Sequence, residues 1–269
     1  MTRIVYPHNP VRVVEASADQ VDLVFELDTP QADWPWLTLP AQHPVLQQKL
    51  LYFASATALL ASGRSTPDAP SALTFVKWSS QLGPDAPIPT RGHCAFASGP
   101  EGDRFELRLD DGALTFMGGG VAITDRDMAA WRAETRKKVL AKAHLEPPFP
   151  ELPERMPPWF VRLEDGGEDG RFAARGLVTS ERAFFPGHPF HTGSGDHVNV
   201  AHLVDCVAQV AELHLGVPIT ACTGGSGTFR RFVELDVPFV LQGTIEGRTV
   251  TADFTQVGYN NGRVELHFA

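Results

Sequence analysis

The chain has 269 residues, of which 43% are hydrophobic, and a formal net charge of −9. This length and composition support a globular protein with a real core, built as one large domain or two of ordinary size. No basic run offers a nucleic-acid surface, and no apolar run approaches the roughly 20 residues of a membrane span, so neither partner is expected.

The cysteines and the N-terminal residues predict the compartment. Cys94, Cys206 and Cys222 are far apart and odd in number, which fits neither a disulfide framework nor a CxxC metal site. The opening MTRIVYPHNP lacks the apolar stretch of a signal peptide. We therefore expect a reducing environment, the cytoplasm.

The first part of the chain is predicted to form strand-like material, then one long helix, then several strands and a short helix. The long helix starts at His43, and the strands that follow show apolar alternation. In chain order these segments are HPVLQQKLLYFASATALLA, ALTFVKWSSQL, GHCAFASG, RFELRLDDG, ALTFMGGGVAITD and the short helix DMAAWRAETRKKVLAK. The proline-rich stretch at 145–160 cannot continue a helix or join a sheet interior, so it is predicted to be a connector.

The second part repeats this arrangement. Two strands, WFVRLED and RFAARGLV, precede a helix from about Asn199 to Leu215. The strands that follow are TFRRFVELD, PFVLQGTIEG, RTVTADFTQVG and RVELHF. Turn residues at Gly247-Arg248 and at 260–262 predict antiparallel hairpins between the last runs.

The two parts can be superposed in sequence. Matching His43 to His197 also matches Ala54 to Ala208, and Thr74-Phe75 to Thr228-Phe229. The same offset aligns both the helix and the strand that follows it, which indicates an internal duplication. The alternative is that two α+β halves coincide by chance.

A single apolar helix flanked by long antiparallel strands buries itself best when the sheet curls around it. The fold class is therefore α+β, a tandem or double hot dog with one helix in each sheet. We expect an N-terminal unit at 1–145, a proline-rich linker at 146–158 and a C-terminal unit at 159–269. The C-terminal unit carries the candidate site.

Two resemblances become specific in the second unit. FFPGHP followed by LVDCVAQ resembles the beta-hydroxyacyl-ACP dehydratases, which carry a histidine in an FFxGH-type loop and a carboxylate on the central helix. A wider set of segments, including HPVLQQKLLYFASA, WRAETR and FRRFVELDVPFVLQG, resembles the A-factor biosynthesis hot-dog family. That family condenses a beta-ketoacyl thioester with a small alcohol, so both resemblances imply acyl thioesters.

Dehydration of a beta-hydroxyacyl thioester needs a base for the alpha proton and an acid for the departing hydroxyl. His188 is the candidate base, since an imidazole titrates near neutrality. Asp205 is the candidate acid, a role that requires a protonated carboxyl and is favoured by burial. Gly187 shapes the histidine loop. Each positioned proton-transfer group contributes about 10² to 10⁴ in rate.

The start of the helix offers a third element. Asn199 is a good N-cap residue, and free N–H groups of Val200 and Ala201 would polarise a thioester carbonyl. Asp196 is the alternative N-cap. Gln209 lies one turn beyond Asp205 and would orient either Asp205 or the histidine loop. His197, just before the helix, is predicted to contact substrate.

Each of these residues has an alternative. Asp205, Gln209, Glu212 and His202 form a polar stripe that is typical of a solvated helix face. His202 and His214 are predicted to lie on the helix surface. A metal site of His188, His191, His197 and Asp196 matches no known spacing, so no metal or other cofactor is expected.

The repeat also predicts that the first unit lacks proton-transfer groups. Leu51 stands opposite Asp205, Ser55 opposite Gln209 and Trp34 opposite His188. Lys49 lies near the matching position, where the A-factor family carries a glutamate, and this departure puts that family's reaction in doubt. We expect one active site per chain, with the N-terminal unit as wall and acyl tunnel.

The predicted function is that of a dehydratase or hydratase of a beta-hydroxyacyl group carried by acyl carrier protein or CoA. The alternatives are A-factor-type condensation, a thioesterase in which Asp205 activates water, and a non-catalytic acyl-binding protein. DHVNVAHL also resembles the helix start of small hot-dog thioesterases. Fatty-acid, polyketide or related secondary metabolism is expected, a homodimer is left open, and the acyl chain and the individual pathway are not predicted.

Overall fold

A computed structural model describes residues 10–27, 35–66, 71–99, 102–122, 128–146, 149, 159–165, 170–179 and 197–269. The chain divides into two compact units. Unit 1 comprises Met1–Asp125 with Thr220–Ser226, and unit 2 comprises Arg126–Ile219 with Gly227–Ala269. None of the helices within the described ranges has both the length and the apolar character to cross a membrane.

Unit 1 contains one long helix and six strands. The helix is α1 (Pro44–Ala61). The strands are β1 (Val11–Ala16), β2 (Gln20–Phe25), β3 (Ser71–Ser80), β4 (Arg91–Gly99), β5 (Gly102–Leu109) and β6 (Leu114–Ala122). They form an antiparallel sheet in the order β1-β2-β4-β5-β6-β3.

Unit 2 contains two helices, six sheet strands and a short ribbon. The helices are α2 (Met128–Lys142) and α3 (Val200–Leu215). The strands are β7 (Trp159–Asp165), β8 (Arg171–Val178), β9 (His197–Val198), β10 (Cys222–Phe229), β11 (Val233–Glu234), β12 (Phe239–Glu246), β13 (Thr249–Gln256) and β14 (Tyr259–Phe268). The sheet order is β7-β8-β12-β13-β14-β10, in which β10 belongs to unit 2 from Gly227 onwards.

The two units have the same topology. In each, two strands of the sheet precede the long helix, and the sheet strand after the helix pairs with the last strand of the unit. This shared order supports the predicted duplication and confirms the antiparallel architecture with one central helix in each unit.

The sheet of unit 2 curls around its helix. α3 contacts β7 and β8 on one side and β13 and β14 on the other. These contacts with strands on both sides of β12 fit a sheet that curls around its central helix, as predicted for a hot dog.

One predicted turn is correct and the other is not. Gly247 and Arg248 join β12 to β13 as expected, with Gly247 at φ 60°. The next turn lies at Val257-Gly258, where both residues have positive φ, and the predicted turn at 260–262 is part of β14. Gly262 serves a close approach instead, because a Cβ there would lie 2.3 Å from the Thr228 carbonyl oxygen.

Helix α2 groups with unit 2, whereas our predicted boundary placed it in an N-terminal unit ending at residue 145. Arg132 donates two hydrogen bonds of 2.7 Å to the carboxylate of Glu234, and both residues are buried. Val139, also on α2, packs with Val237 and Val257 in one hydrophobic cluster. Most of the predicted linker at 146–158 lies outside the described residues.

The N-cap of α1 is a neutral histidine. Burial lowers the pKa of His43 from 6.5 to about 4, and its Nδ1 accepts a hydrogen bond of 3.2 Å from the Val45 N–H. Protonating Nδ1 would remove this acceptor and place a positive charge at the positive end of the helix dipole. The cap therefore exists only while the ring is neutral.

This cap predicts acid sensitivity. Because the folded pKa lies below the unfolded one, the unfolded chain binds more protons between pH 6.5 and 4, and stability falls as pH falls through that window. The shift corresponds to a loss of about 3 kcal/mol. In His43→Asn, which keeps a cap oxygen, urea unfolding at pH 7 and 4.5 should show a smaller loss than in wild type. His144→Asn, at an exposed histidine, is the control and should retain the full loss.

Candidate active site on the central helix of unit 2

Helix α3 starts with a complete cap. The Ala201 N–H donates to Asn199 Oδ1 at 3.0 Å, and the Asn199 N–H donates to His202 Nδ1 at 3.1 Å. The expectation of a free N–H at Ala201 was therefore wrong, because the cap side chain uses that donor. Of the two N–H groups predicted to bind the carbonyl, that of Val200 is the one that the Asn199 side chain does not use.

His202 was predicted to lie on the helix surface and instead is buried, with 1% exposure. Its ring closes the capping box, and this requires it to point back along the helix toward Asn199. An Asn followed three residues later by a side chain with an acceptor atom was the sequence pattern that could have indicated this role. His214 is only partly buried.

A two-stranded ribbon holds the chain just before α3. β9 pairs with β11, so that His197 lies opposite Glu234, and Glu234 is held by the buried Arg132. The His197 ring packs against Phe232 with centroids 4.4 Å apart, and the Arg132 guanidinium lies 4.5 Å from the centroid of the same ring. The start of α3 is thus tied to α2 by a buried ion pair and a shared aromatic ring.

Asp205 lies on the second turn of α3 and is 2% exposed. The Gln209 side-chain amide donates to Asp205 Oδ2 at 2.6 Å, as the one-turn spacing predicted. The alternative of a solvated polar face is wrong for Asp205 and His202, although it holds for Glu212, which is exposed. A buried carboxylate held by a neighbouring amide is a suitable group for proton transfer.

The cysteine beside this carboxylate is not a nucleophile. The pKa of the Cys206 thiol is raised well above 9.0, first by burial and then by the charge of Asp205. Burial also raises the pKa of Cys94 to about 12 and that of Cys222 to about 11. All three thiols stay protonated at neutral pH, and a protonated thiol neither attacks a thioester nor ligates a metal.

The predicted histidine loop lies outside the described residues. Gly187 and His188 belong to it, as do His191 and Asp196 of the rejected metal alternative. The expected roles of Gly187 and His188 thus stay predictions. In the part of the chain that is described, no three His, Cys, Asp or Glu residues are grouped as metal ligands.

Unit 1 places a lysine where unit 2 has its carboxylate. Lys49 lies six residues after the N-cap His43, as Asp205 lies six residues after the N-cap Asn199. Counted from the caps, Lys49 takes the position of Asp205, whereas the sequence offset assigned Leu51 to it. Burial lowers the pKa of Lys49 from 10.5 to about 7, and the residue is 3% exposed.

A groove on the outer face of the unit 1 sheet has a different character. Its residues are mostly exposed and of mixed charge: Lys77, Ser79, Glu106, Arg108, Asp111, Thr115 and Met117 line it, among others. Ser79 and Thr115 share a hydrogen bond of 2.7 Å across β3 and β6, and Arg108 donates to Glu106 at 2.7 Å along β5. Exposed polar pairs of this kind are typical of a solvated sheet face.

Comparison with known proteins supports the fold. No family model and no curated protein matches the sequence. A solved structure described as a MaoC-like dehydratase matches with a TM-score of 0.51 at 11% identity, over 89% of this chain and 88% of that chain. The chain has a double hot-dog fold.

Other solved structures match less well. The 12:0-ACP thioesterase from Umbellularia californica gives a TM-score of 0.46 at 12% identity, over 83% of this chain and 86% of that one. The acyl-CoA thioesterase II TesB2 from Mycobacterium marinum gives 0.46 at 12%, over 95% and 94%. At these identities the likenesses concern the fold, and the chemistry of this double hot dog is inferred from its own residues.

Proposed function

We propose that this double hot dog is an acyl-thioester enzyme, and that it dehydrates or hydrates a beta-hydroxyacyl group carried on CoA or acyl carrier protein. The observation that carries the proposal is Asp205, a carboxylate with 2% exposure on the central helix whose Oδ2 is held by Gln209 at 2.6 Å. A buried, oriented carboxyl suits acid–base chemistry because little solvent competes for its proton.

In the dehydration, the base removes a proton from the carbon next to the thioester carbonyl, and the C–O bond to the beta hydroxyl breaks. His188 is proposed as the base. Asp205, oriented by the bond from Gln209, is proposed to give the proton to the departing hydroxyl. An enoyl thioester and water leave, and the Val200 N–H at the positive helix end stabilises the charge on the carbonyl oxygen.

A thioesterase is the second candidate, and one contact favours it. The bond from Gln209 to Asp205 stabilises an ionised carboxylate, which is the form that would take a proton from attacking water. The water adds to the thioester carbonyl, the carbon–sulfur bond breaks, and the free acid and thiol are released. The two reactions differ in whether Asp205 carries a proton at the start.

Product analysis separates the proposals. The purified chain is incubated with a 3-hydroxyacyl thioester of CoA, and the products are followed by absorbance and by a thiol reagent. The dehydratase should give an enoyl product without free thiol, and the thioesterase free thiol without enoyl product. A condensing enzyme should require an added small alcohol and a beta-ketoacyl thioester. If an acyl thioester protects the chain against unfolding but no turnover is found, the chain is a binding protein and the proposal is contradicted.

A further inference from the structure

The ribbon of β9 and β11 is too short to be stable by itself. It has two residues in each strand, with Val198 opposite Val233 and His197 opposite Glu234, and even a full isolated hairpin is only marginally stable in water. The chain runs from β9 directly into Asn199, the N-cap of α3. The contacts that fix this ribbon therefore also fix where α3 starts.

Glu234 of this ribbon is held from two elements. Its backbone N–H donates to Gln256 Oε1 at 2.8 Å, and its carbonyl oxygen accepts from Gln256 Nε2 at 3.0 Å. Its carboxylate accepts two hydrogen bonds of 2.7 Å from Arg132 on α2. The side chain of Glu234 is 0% exposed and that of Arg132 is 8% exposed. β11 is thus fixed by β13 through its backbone and by α2 through its side chain.

Stability alone does not explain a buried ion pair at this place. The cost of removing both charges from water offsets their attraction, and apolar side chains of similar volume often stabilise a fold as well or better. A bidentate pair adds direction, because the guanidinium and the carboxylate fit together in one geometry. Arg132 also lies against the Phe232 ring, which packs on His197. It therefore acts on β11 through Glu234 and on β9 through the two rings.

We propose that Arg132 is a positioning residue, and that its bond to Glu234 places the start of α3 for the reaction. Val200 begins α3 and is the proposed N–H donor to the thioester carbonyl, and Asp205 follows on the same helix. An error of about 1 Å in such a placement can lower a rate about 10²-fold. This inference rests on the proposed function, because that function assigns the chemistry to α3.

The test replaces both charges by apolar side chains, in the double variant Arg132→Met/Glu234→Met. We expect the melting temperature to stay the same or rise. On the thioester that wild type turns over, kcat should fall about 10²-fold while KM stays within about twofold. A pair that served only stability would leave the kcat of the folded double variant unchanged.

Hydrogen exchange followed by NMR reports the start of α3 directly. The Ala201 N–H donates to Asn199 Oδ1, and the His202 N–H donates to the Asn199 carbonyl oxygen at 3.0 Å. In the double variant both amides should exchange about fivefold faster, which corresponds to the loss of one helix cap. Amides in the middle of α3, such as that of Val210, should keep their wild-type rates.

Arg263→Met/Asp253→Met is the matched control. This pair is also bidentate, with bonds of 2.8 and 2.6 Å between β14 and β13, but Arg263 is exposed. Its replacement should leave kcat and the exchange rates unchanged.

Arg132→Lys keeps the charge but replaces the planar fork by a single ammonium, which cannot bond both oxygens in one plane. This variant should fold and lie between wild type and the double variant in kcat and in exchange. If the double variant does not fold, Arg132→Lys decides, and wild-type kcat and exchange in it would overturn the inference.

The two readouts separate this inference from the proposed function. If wild type turns over no thioester, the proposed function fails, and faster exchange of Ala201 and His202 in the double variant still supports the placement of α3 by Arg132. If wild type is active and the folded double variant keeps more than about a tenth of its kcat, the inference is overturned and the proposed function stands. Wild-type exchange rates in the folded double variant overturn the inference in either case.

Discussion

Asp205→Asn should lower kcat/KM by about 10² to 10⁴ while leaving the fold intact, because one positioned proton-transfer group is removed. The asparagine has the same shape and keeps a carbonyl oxygen that can accept from Gln209, so the bond now measured at 2.6 Å can persist. It can neither give up nor take a proton. The loss should therefore appear in kcat rather than in KM, measured by steady-state kinetics on the thioester that wild type turns over.

Glu212→Gln is the matched control for this variant. Glu212 lies on the same helix but is exposed, so the same change of carboxylate to amide should leave the rate within twofold, roughly the precision of the kinetics. If Asp205→Asn keeps more than about a tenth of the wild-type kcat/KM with unchanged melting, Asp205 has no role in proton transfer.

Lys49→Met should change how stability depends on pH. The folded pKa of Lys49 is about 7 and its ordinary value 10.5, so the unfolded chain binds more protons between these values. The free energy of unfolding contributed by this residue therefore rises with pH across that window, by about 1.4 kcal/mol per pH unit. At pH 7 and below, the buried amine destabilises the wild type by several kcal/mol, on the order of 5.

The measurement is the difference in free energy of unfolding between wild type and Lys49→Met, by urea denaturation from pH 6 to 9. The variant should be more stable at pH 6 and lose about 3 kcal/mol of that advantage by pH 9. Taking the difference cancels the contribution of the three buried thiols, whose raised pKa values lower stability at high pH. Lys77→Met, at an exposed lysine, should show no such slope. A constant difference for Lys49→Met would show that the folded protein keeps this amine charged.

Local pattern predicted the elements well. Apolar periodicity placed α3 at Val200–Leu215, within one residue of the expected start, and alternation located β3 to β8 and β12 to β14. No segment was assigned to β1 or β2, and the predicted strand TFRRFVELD covers only the end of β10 and the separate β11. Local pattern could not place the turn at Val257-Gly258, because the asparagines and glycine at 260–262 are better turn formers on composition alone. Their real role, a close approach of Gly262 to Thr228, depends on a strand distant in sequence.

Counting from the helix caps changed the comparison of the two units. The sequence offset was chosen from a few identities, and it paired Asp205 with Leu51. The structure starts α1 at the cap of His43 and α3 at that of Asn199, which pairs Asp205 with Lys49 instead. Identities between diverged repeats are too few to exclude an offset of two residues, whereas a cap has a defined geometry.

The sequence by itself determined the kind of fold and the carboxylate to examine, because hydrophobic periodicity and turn composition are local properties. Only the tertiary structure decided that Asp205 and His202 are buried and that Arg132 on α2 pairs with Glu234. Burial and pairing depend on which distant segments surround a side chain. Identical polar patterns along a helix can therefore end in water or in a core.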